Sequence, residues 1–135
     1  MINFAEPTNR QTILVVDDNV SNIEVIYEML APHYEVLFAT SGVEALELTV
    51  STRPDLLLLD VLMPGLNGYE VCRHLKYNII TQHIPIIFIT AIGQTDSEEK
   101  GLKLGAIDYI AKPFSPAVVK ARIANHLELK RYRVY

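Results

Sequence analysis

The segment Leu56–Asp60 reads LLLLD, four consecutive leucines followed by a single aspartate. Such a short, uninterrupted apolar run is typical of a β-strand that other elements cover on both faces, as in parallel sheets. An aspartate directly after the leucines lies at the carboxyl end of the strand, where the ligands of open α/β sheets bind. The segment therefore predicts both the class of fold and the edge of the sheet where a functional site belongs.

Strand-length apolar runs alternate with helical patterns along the rest of the chain. The predicted strands are Thr12–Asp17, Glu35–Ala39, Leu56–Asp60, Ile84–Thr90 and Ile107–Ala111. The helix signals between them are an apolar face at Ile23, Ile26, Tyr27 and Leu30, capping pairs at Ser41–Glu44 and Asn67–Glu70, a weaker start at Asp96 and Glu99, and Ser115–Pro116 before a long last helix. This alternation predicts an α/β three-layer sandwich with right-handed crossovers between parallel strands.

Length and composition exclude several classes of protein. The chain has 135 residues, of which 50% are hydrophobic and 21% charged, as expected for one globular domain. A net charge of −4 argues against direct nucleic-acid binding, because phosphate contacts require a basic surface. No apolar run reaches the length of a membrane span, and the stretch before Thr12 lacks the apolar core of a signal peptide. The single Cys72 cannot form an internal disulfide, which fits the reducing cytoplasm.

Three acidic residues follow two of the most apolar strands. Asp17 and Asp18 end the first strand, and Asp60 ends the third. If these strands are neighbours, two carboxylates about 5 Å apart repel by roughly 3 kcal/mol at an effective dielectric constant near 20. Such a cost implies a bound cation, and oxygen ligands without His or Cys favour Mg²⁺. The alternative is that Asp17 and Asp18 only cap the first helix.

Two further polar residues lie at the ends of the fourth and fifth strands. Thr90 closes the fourth strand and Lys112 follows the fifth. A carboxylate can act as a nucleophile on phosphorus, and phosphoryl transfer then requires neutralisation of charge on the equatorial oxygens. A divalent cation, the Lys112 ammonium and the Thr90 hydroxyl could each hold one of these oxygens. The pattern therefore predicts a phosphoryl-accepting site at Asp60.

Four motifs in order resemble the receiver domain of two-component response regulators. They are VVDDN at Val15–Asn19, LLLLDVLMPGLNGYE at Leu56–Glu70, IIFITA at Ile86–Ala91 and GAIDYIAKPF at Gly105–Phe114. The resemblance extends from about Thr12 to Lys130. It implies a flavodoxin-like fold whose five-stranded parallel sheet has the order 2-1-3-4-5, which places the first and third strands side by side.

The resemblance also implies roles for individual residues. Asp60 would be the phosphoacceptor, Asp18 would bind Mg²⁺ directly, Asp17 would bind it mainly through water, and the backbone carbonyl of Leu62 would be a further ligand. Thr90 and Lys112 would contact the phosphoryl group. On phosphorylation Thr90 would move and Tyr109 would turn inward, and the Lys112–Pro113 peptide bond would be cis. In related domains, the side chains at the positions of Leu62 and Ile92 affect how fast the aspartyl phosphate is hydrolysed. Both residues are apolar here and cannot orient an attacking water, so we expect a comparatively persistent phosphoryl group.

The expected organisation is a leader at residues 1–11, a receiver domain at 12–130 and the end of the last helix at 131–135. The segment 126–133 reads HLELKRYR and is similar to junctions between receivers and diguanylate cyclase or HD-type phosphodiesterase domains. On that interpretation residues 131–135 begin a linker to an output domain. The alternative is that Lys130, Arg131 and Arg133 only interact favourably with the carboxyl end of the helix.

The resemblance also implies partners and a location. A sensor histidine kinase or a phosphotransfer protein would donate the phosphoryl group in the cytoplasm, and an output domain or partner protein would respond. The surface of the helix near Asp96, the fifth strand and the last helix would change, and a homodimer through it is one arrangement that the resemblance allows. We expect no direct contact with nucleic acid or a membrane, and no enzymatic activity beyond the domain's own phosphotransfer and slow autodephosphorylation.

Three other functions compete with this interpretation. A phosphatase of the haloacid-dehalogenase type requires a second aspartate at the position of Leu62. An unphosphorylated interaction module usually lacks an acid, the threonine or the lysine, whereas all are present here. A flavodoxin requires a Ser/Thr/Gly-rich phosphate loop after the first strand, which is absent from this sequence.

Overall fold

The computed structural model describes residues 10–91, 100 and 102–131. Its sheet contains five parallel strands: β1 (Thr12–Val16), β2 (Glu35–Ala39), β3 (Leu56–Asp60), β4 (Ile86–Ala91) and β5 (Asp108–Lys112). The strand order is β2-β1-β3-β4-β5, which confirms the flavodoxin-like fold and the adjacency of the first and third strands. Within the described residues, no helix combines the length and hydrophobicity needed to cross a lipid bilayer.

Four helices have described bounds: α1 (Val20–Leu30), α2 (Gly42–Thr52), α3 (Gly68–Lys76) and α4 (Pro116–Arg131). The helix predicted to start at Asp96 begins outside the described residues, although Lys100 and residues 102–103 are helical. Ile92, residues 1–9 of the predicted leader and residues 132–135 also lie outside the described part of the chain.

Alternate residues of the central strands enter two separate cores, one on each face of the sheet. Ile13 and Leu58 belong to the core under α1 and α4, whereas Leu14 and Leu59 belong to the core under α2 and α3. Every residue of β3 is buried, as expected of a strand covered on both faces. Three residues of the last helix at helical spacing are buried in the first of these cores: Val119, Ile123 and Leu127.

The helix caps differ in detail from the predicted ones. Asn19 is the N-cap of α1 and accepts hydrogen bonds from the backbone N–H groups of Ser21 and Asn22, so neither Asp17 nor Asp18 has that role. Asn67 and Glu70 form the complete capping box predicted for α3. At α2 the Ser41 hydroxyl accepts from Glu44 N–H, but the Glu44 carboxylate bonds to Thr40 N–H instead of closing the box.

Several expectations about elements were wrong. β1 ends at Val16 and not at Asp17, and β5 spans Asp108–Lys112 instead of Ile107–Ala111. Tyr27 was predicted to lie on the buried face of α1, but it is 47% exposed, because Ile23, Ile26 and Leu30 already fill that face. The fourth strand begins at Ile86 and not at Ile84. Proline has no N–H to donate to the ladder, so Pro85 precedes the strand, although its carbonyl still accepts from Leu57 N–H at 3.0 Å.

Candidate functional site

The carboxyl ends of four strands meet around one cavity of about 240 Å³. Val16 pairs with Leu59, so Asp17 and Asp60 extend from neighbouring positions of β1 and β3. Asp60 pairs with Ile89, and Thr90 pairs with Ala111, which brings β4 and the end of β5 to the same place. The cavity is lined by Asp17, Asp18, Asn19, Asn22, Asp60, Val61, Leu62, Ile89, Thr90 and Lys112.

Three carboxylates converge in this cavity. One oxygen from each of Asp17, Asp18 and Asp60 lies within 4.8 Å of the others. Asp17 and Asp60 are 1% and 5% exposed, whereas Asp18 is open to solvent. The crowding predicted from the strand ends is therefore present, and two of the three carboxylates have lost most of their hydration.

Lys112 supplies the positive charge that faces these carboxylates. Its Nζ lies 3.3 Å from Asp60 Oδ1 and 3.7 Å from Asp17 Oδ2. Its side chain remains 30% exposed, so water still reaches it. One ammonium against three carboxylates leaves an excess of two negative charges among the cavity-lining residues of the described chain.

The electrostatic environment raises the pKa of Asp60 to about 6. Burial is the main cause, and the charge of Asp17 adds to it, while Lys112 opposes the shift. A carboxylate that is this difficult to ionise gains from a nearby cation. The donors are all oxygen atoms, which fits a hard divalent ion such as Mg²⁺.

Asp17 is fixed in place by groups of its own chain. Its backbone N–H donates to Ala39 O at 3.1 Å, its Oδ1 accepts from Asn19 N–H at 2.9 Å, and its Oδ2 accepts from Asn22 Nδ2 at 3.2 Å. Sequence analysis did not identify Asn22. The only signal was a polar side chain in the first turn of the helix after the acidic pair, and many helices have one.

Thr90 contributes a buried hydroxyl to the lining of the same cavity. The residue is 2% exposed, and its Oγ1 has no hydrogen-bond partner among the described residues. A buried hydroxyl without a partner costs about 1–3 kcal/mol. A ligand oxygen in the cavity would remove that cost, so the hydroxyl is a second feature that fits an anion beside the carboxylates.

Gly68 allows α3 to begin directly against the end of β3. A Cβ atom at this position would overlap the carbonyl group of Asp60 and lie 2.9 Å from Cα of Val61. Gly68 N–H also donates to Val61 O at 2.9 Å. Gly68 therefore packs directly against the backbone of Asp60 and Val61. Sequence analysis had not assigned Gly68 to the site.

The remaining predicted residues occupy distinct positions. Leu62 lines the cavity but its side chain is 62% exposed. The Lys112–Pro113 peptide bond is cis. Tyr109 is half-buried on β5 and lines a different hollow together with Phe114 and Val118. Tyr109 is thus outside the cavity that contains the carboxylates.

Comparison with known proteins finds one matching protein family and similar curated proteins. The family model described as "Response regulator receiver domain" matches residues 13–124. A curated relative named "Probable cyclic di-GMP phosphodiesterase" from Vibrio cholerae is 43% identical over 126 residues. That match covers 93% of this chain but 29% of the relative, so the chain spans under a third of that protein's length.

Solved structures resemble this chain over nearly their whole length. A crystal structure of a putative response regulator from Chloroflexus aurantiacus superposes with a TM-score of 0.86 at 38% identity, covering 89% of this chain and 99% of that one. The receiver domain of the sensor histidine kinase PA1611 from Pseudomonas aeruginosa gives a TM-score of 0.82 at 32% identity, with 88% and 98% covered. The latter structure is described as having a magnesium ion coordinated in its active site cleft.

Proposed function

Because the chain belongs to the response regulator receiver domain family of two-component signalling, we propose that it accepts a phosphoryl group on Asp60 with Mg²⁺ bound beside it. The observation that carries the proposal is the convergence of Asp17, Asp18 and Asp60 within 4.8 Å, in a cavity that Thr90 and Lys112 also line. The donor is the phosphohistidine of a sensor histidine kinase or a phosphotransfer protein.

In the proposed reaction an ionised oxygen of Asp60 attacks the phosphorus of the donor. The P–O bond to Asp60 forms as the P–N bond to the histidine breaks, and the imidazole nitrogen keeps the electron pair and takes up a proton. Lys112, already 3.3 Å from Asp60, favours the ionised carboxylate and would bind a phosphoryl oxygen. The unpaired Thr90 hydroxyl would donate to another.

The ligands that fit Mg²⁺ are the carboxylates of Asp17, Asp18 and Asp60 together with the backbone carbonyl of Leu62. When bound, Mg²⁺ supplies positive charge that offsets the crowded carboxylates and the charge of the transferring group. Asp18 is the exposed member of the three and is therefore free to ligate the ion directly. Asp17 accepts hydrogen bonds on both of its oxygens, which favours contact through water.

The signal would leave the site through Thr90 and Tyr109. Two donors of α4 bond to this part of β5: Arg122 Nη1 lies 2.9 Å from Asp108 Oδ1 and 2.7 Å from Tyr109 O. His126 Nε2 lies 3.0 Å from Asp108 Oδ2. The strand is thus anchored while the Tyr109 ring borders an open hollow. We infer that Tyr109 responds by rotation of its ring, which would alter the surface of β5 and α4.

The same proposal assigns residues 12–130 to the receiver and residues 131–135 to the start of a linker. An output of the cyclic-dinucleotide class fits the relative from Vibrio cholerae, which is named as a probable phosphodiesterase of that kind. The domain would act in the cytoplasm as a signalling module rather than an enzyme. Its output surface, formed by helical residues near Lys100 with β5 and α4, would contact a partner protein or a second copy of the chain.

Intact mass after incubation with a small acyl phosphate tests the proposed acceptor. With Mg²⁺ the wild type gains one phosphoryl group, and with a chelator it gains none. Asp60→Asn, which keeps the size of the side chain, gains none under either condition. Equal phosphorylation of wild type and Asp60→Asn would refute Asp60 as the acceptor.

A long lifetime of the phosphoryl group is a further part of the proposal. The exposed, apolar Leu62 beside the cavity has no group to orient an attacking water. Ile92 was assigned the same property from the sequence. Decay of the phosphorylated protein should accelerate in Ile92→Glu, and an unchanged or longer lifetime would count against this explanation.

A further inference from the structure

The side chain of Asn22 connects α1 to the most buried carboxylate of the cavity. Its Nδ2 donates to Asp17 Oδ2 at 3.2 Å, and Asn22 itself lines the cavity beside Asp18 and Asp60. The other oxygen of Asp17 accepts from the backbone N–H of Asn19 at 2.9 Å. Asp17 is therefore oriented by one hydrogen bond on each oxygen, and of these two hydrogen bonds the one from Asn22 comes from a side chain.

Asn22 and Lys112 share one acceptor. Lys112 Nζ lies 3.7 Å from Asp17 Oδ2, the same oxygen to which Asn22 donates, and 3.3 Å from Asp60 Oδ1. If the amide were absent, Asp17 Oδ2 would lose this hydrogen bond, and Lys112 would be its remaining partner among the described residues. Lys112 would then move towards Asp17 and away from Asp60. The uncharged amide thus satisfies Asp17 without neutralising it.

Helix capping does not account for this hydrogen bond. The first turn of α1 is capped by Asn19, whose side chain accepts from the N–H groups of Ser21 and Asn22. The Asn22 side chain instead bonds back to Asp17, which follows β1 and lies five residues earlier in the chain. Hydrogen bonds from outside the ligand set typically fix the orientation of metal-binding carboxylates, and their loss weakens metal affinity.

We propose that Asn22 is a positioning residue of the metal site, which orients the Asp17 carboxylate towards the cation and keeps the Lys112 ammonium on Asp60. The inference rests on the proposed function only in requiring that this cavity bind Mg²⁺. It assigns to Asn22 no contact with the phosphoryl group.

The test is Mg²⁺ affinity in the absence of any phosphodonor, measured by calorimetric titration of the intact chain with MgCl₂. Asn22→Leu has nearly the same shape but no amide, and we expect its affinity to fall about 10- to 100-fold, the usual effect of losing such a hydrogen bond. Asn22→Gln retains the amide one methylene further out and should bind Mg²⁺ with intermediate affinity.

A matched control separates positioning from stability. Asn78 also makes a local hydrogen bond, because its Oδ1 accepts from Ile80 N–H at 2.9 Å, but it lies in the loop before β4 and does not line the cavity. Asn78→Leu should lower the melting temperature and leave Mg²⁺ affinity unchanged. Asn22→Leu should lower the affinity even under conditions in which it is fully folded.

The possible outcomes are distinguishable. If the wild type binds Mg²⁺ and both Asn22 variants bind it within twofold of the wild type, the positioning role is wrong while the proposed function stands. If Asn22→Leu does not fold, unaltered affinity in Asn22→Gln overturns the inference by itself. Absence of Mg²⁺ binding by the wild type would overturn the metal site and the inference together.

Discussion

At the scale of single residues, the proposed chemistry depends on Asp60, whose carboxyl is difficult to ionise in the absence of a cation. The carboxyl is nearly buried, has two acidic neighbours and has one ammonium at 3.3 Å. Its pKa is raised to about 6 mainly by burial. Without a cation, ionised Asp60 therefore destabilises the folded state at neutral pH, and a bound Mg²⁺ ion would offset that cost.

Asp60→Asn is expected to stabilise the metal-free protein at pH 7. A pKa raised from 3.8 to about 6 means that the folded state holds this proton more tightly than the unfolded state. The resulting stabilisation is complete below pH 3.8 and is lost as the pH rises through 6, which corresponds to about 3 kcal/mol at most. Thermal unfolding in a chelator should show a higher melting temperature for Asp60→Asn at pH 7.

The pH dependence of that difference is the control for Asp60→Asn. The advantage over the wild type should shrink as the pH falls from 7 to 4, and saturating Mg²⁺ should stabilise the wild type more than the variant. A variant that is no more stable than the wild type at pH 7 would contradict the assigned cost of ionisation.

Lys112→Met should separate metal binding from phosphoryl transfer. Loss of the ammonium removes the cation that faces Asp17 and Asp60, so Mg²⁺ should bind more tightly at low ionic strength. The same change removes a charged contact for the transferring group, and removal of one such donor typically slows a reaction about 100- to 1,000-fold. Titration with Mg²⁺ and the rate of phosphorylation by an acyl phosphate together check this prediction. An unchanged phosphorylation rate in Lys112→Met would disprove it.

At the scale of secondary-structure elements, the site depends on how closely α3 approaches β3. Gly68→Ala should be destabilising, because the new methyl group would overlap the Asp60 carbonyl and lie close to Cα of Val61. Overpacking of this kind costs about 1–3 kcal/mol. We expect a lower melting temperature and, because the backbone of Asp60 would shift, weaker Mg²⁺ binding.

Gly65 offers a matched control for Gly68→Ala. It adopts φ of 72°, and a Cβ there would meet nothing within 4 Å. Asparagine tolerates this left-handed conformation better than other side chains, so Gly65→Asn should cost less stability than Gly68→Ala and leave Mg²⁺ affinity unchanged. If Gly68→Ala were as well tolerated as Gly65→Asn, the close approach would have no functional role.

The sequence predicted the elements best where hydrophobic pattern alone determines them. β2 and β3 have the predicted bounds, since apolar runs end at polar residues on both sides. The sequence predicted poorly the exposure of Tyr27, which depends on how many side chains of α1 the core can cover. It also misplaced the start of β4, which Pro85 determines. Asn22 and Gly68 were missed for a related reason. Their roles depend on how α1 and α3 sit against the sheet, and residue type does not encode that placement.

At the scale of the whole molecule, the fold separates stability from signalling. Two apolar cores hold the helices on either face of the sheet, while the polar groups gather at the carboxyl ends of β1, β3, β4 and β5. The five side chains predicted at strand ends reach one cavity because parallel strands in this order all end at the same edge. The candidate site therefore lies at the polar edge of the sheet, next to the two apolar cores.

The central claim is that Asp60 is the residue that carries the phosphoryl group. Borohydride reduces an acyl phosphate to an alcohol, which converts a phosphorylated aspartate into homoserine. The protein is treated with an acyl phosphate and Mg²⁺ and then reduced with borohydride. Peptide mass spectrometry should then find homoserine at position 60 and aspartate at positions 17 and 18. Homoserine at position 17 or 18, or unmodified Asp60 in protein that has gained a phosphoryl group, would contradict the account.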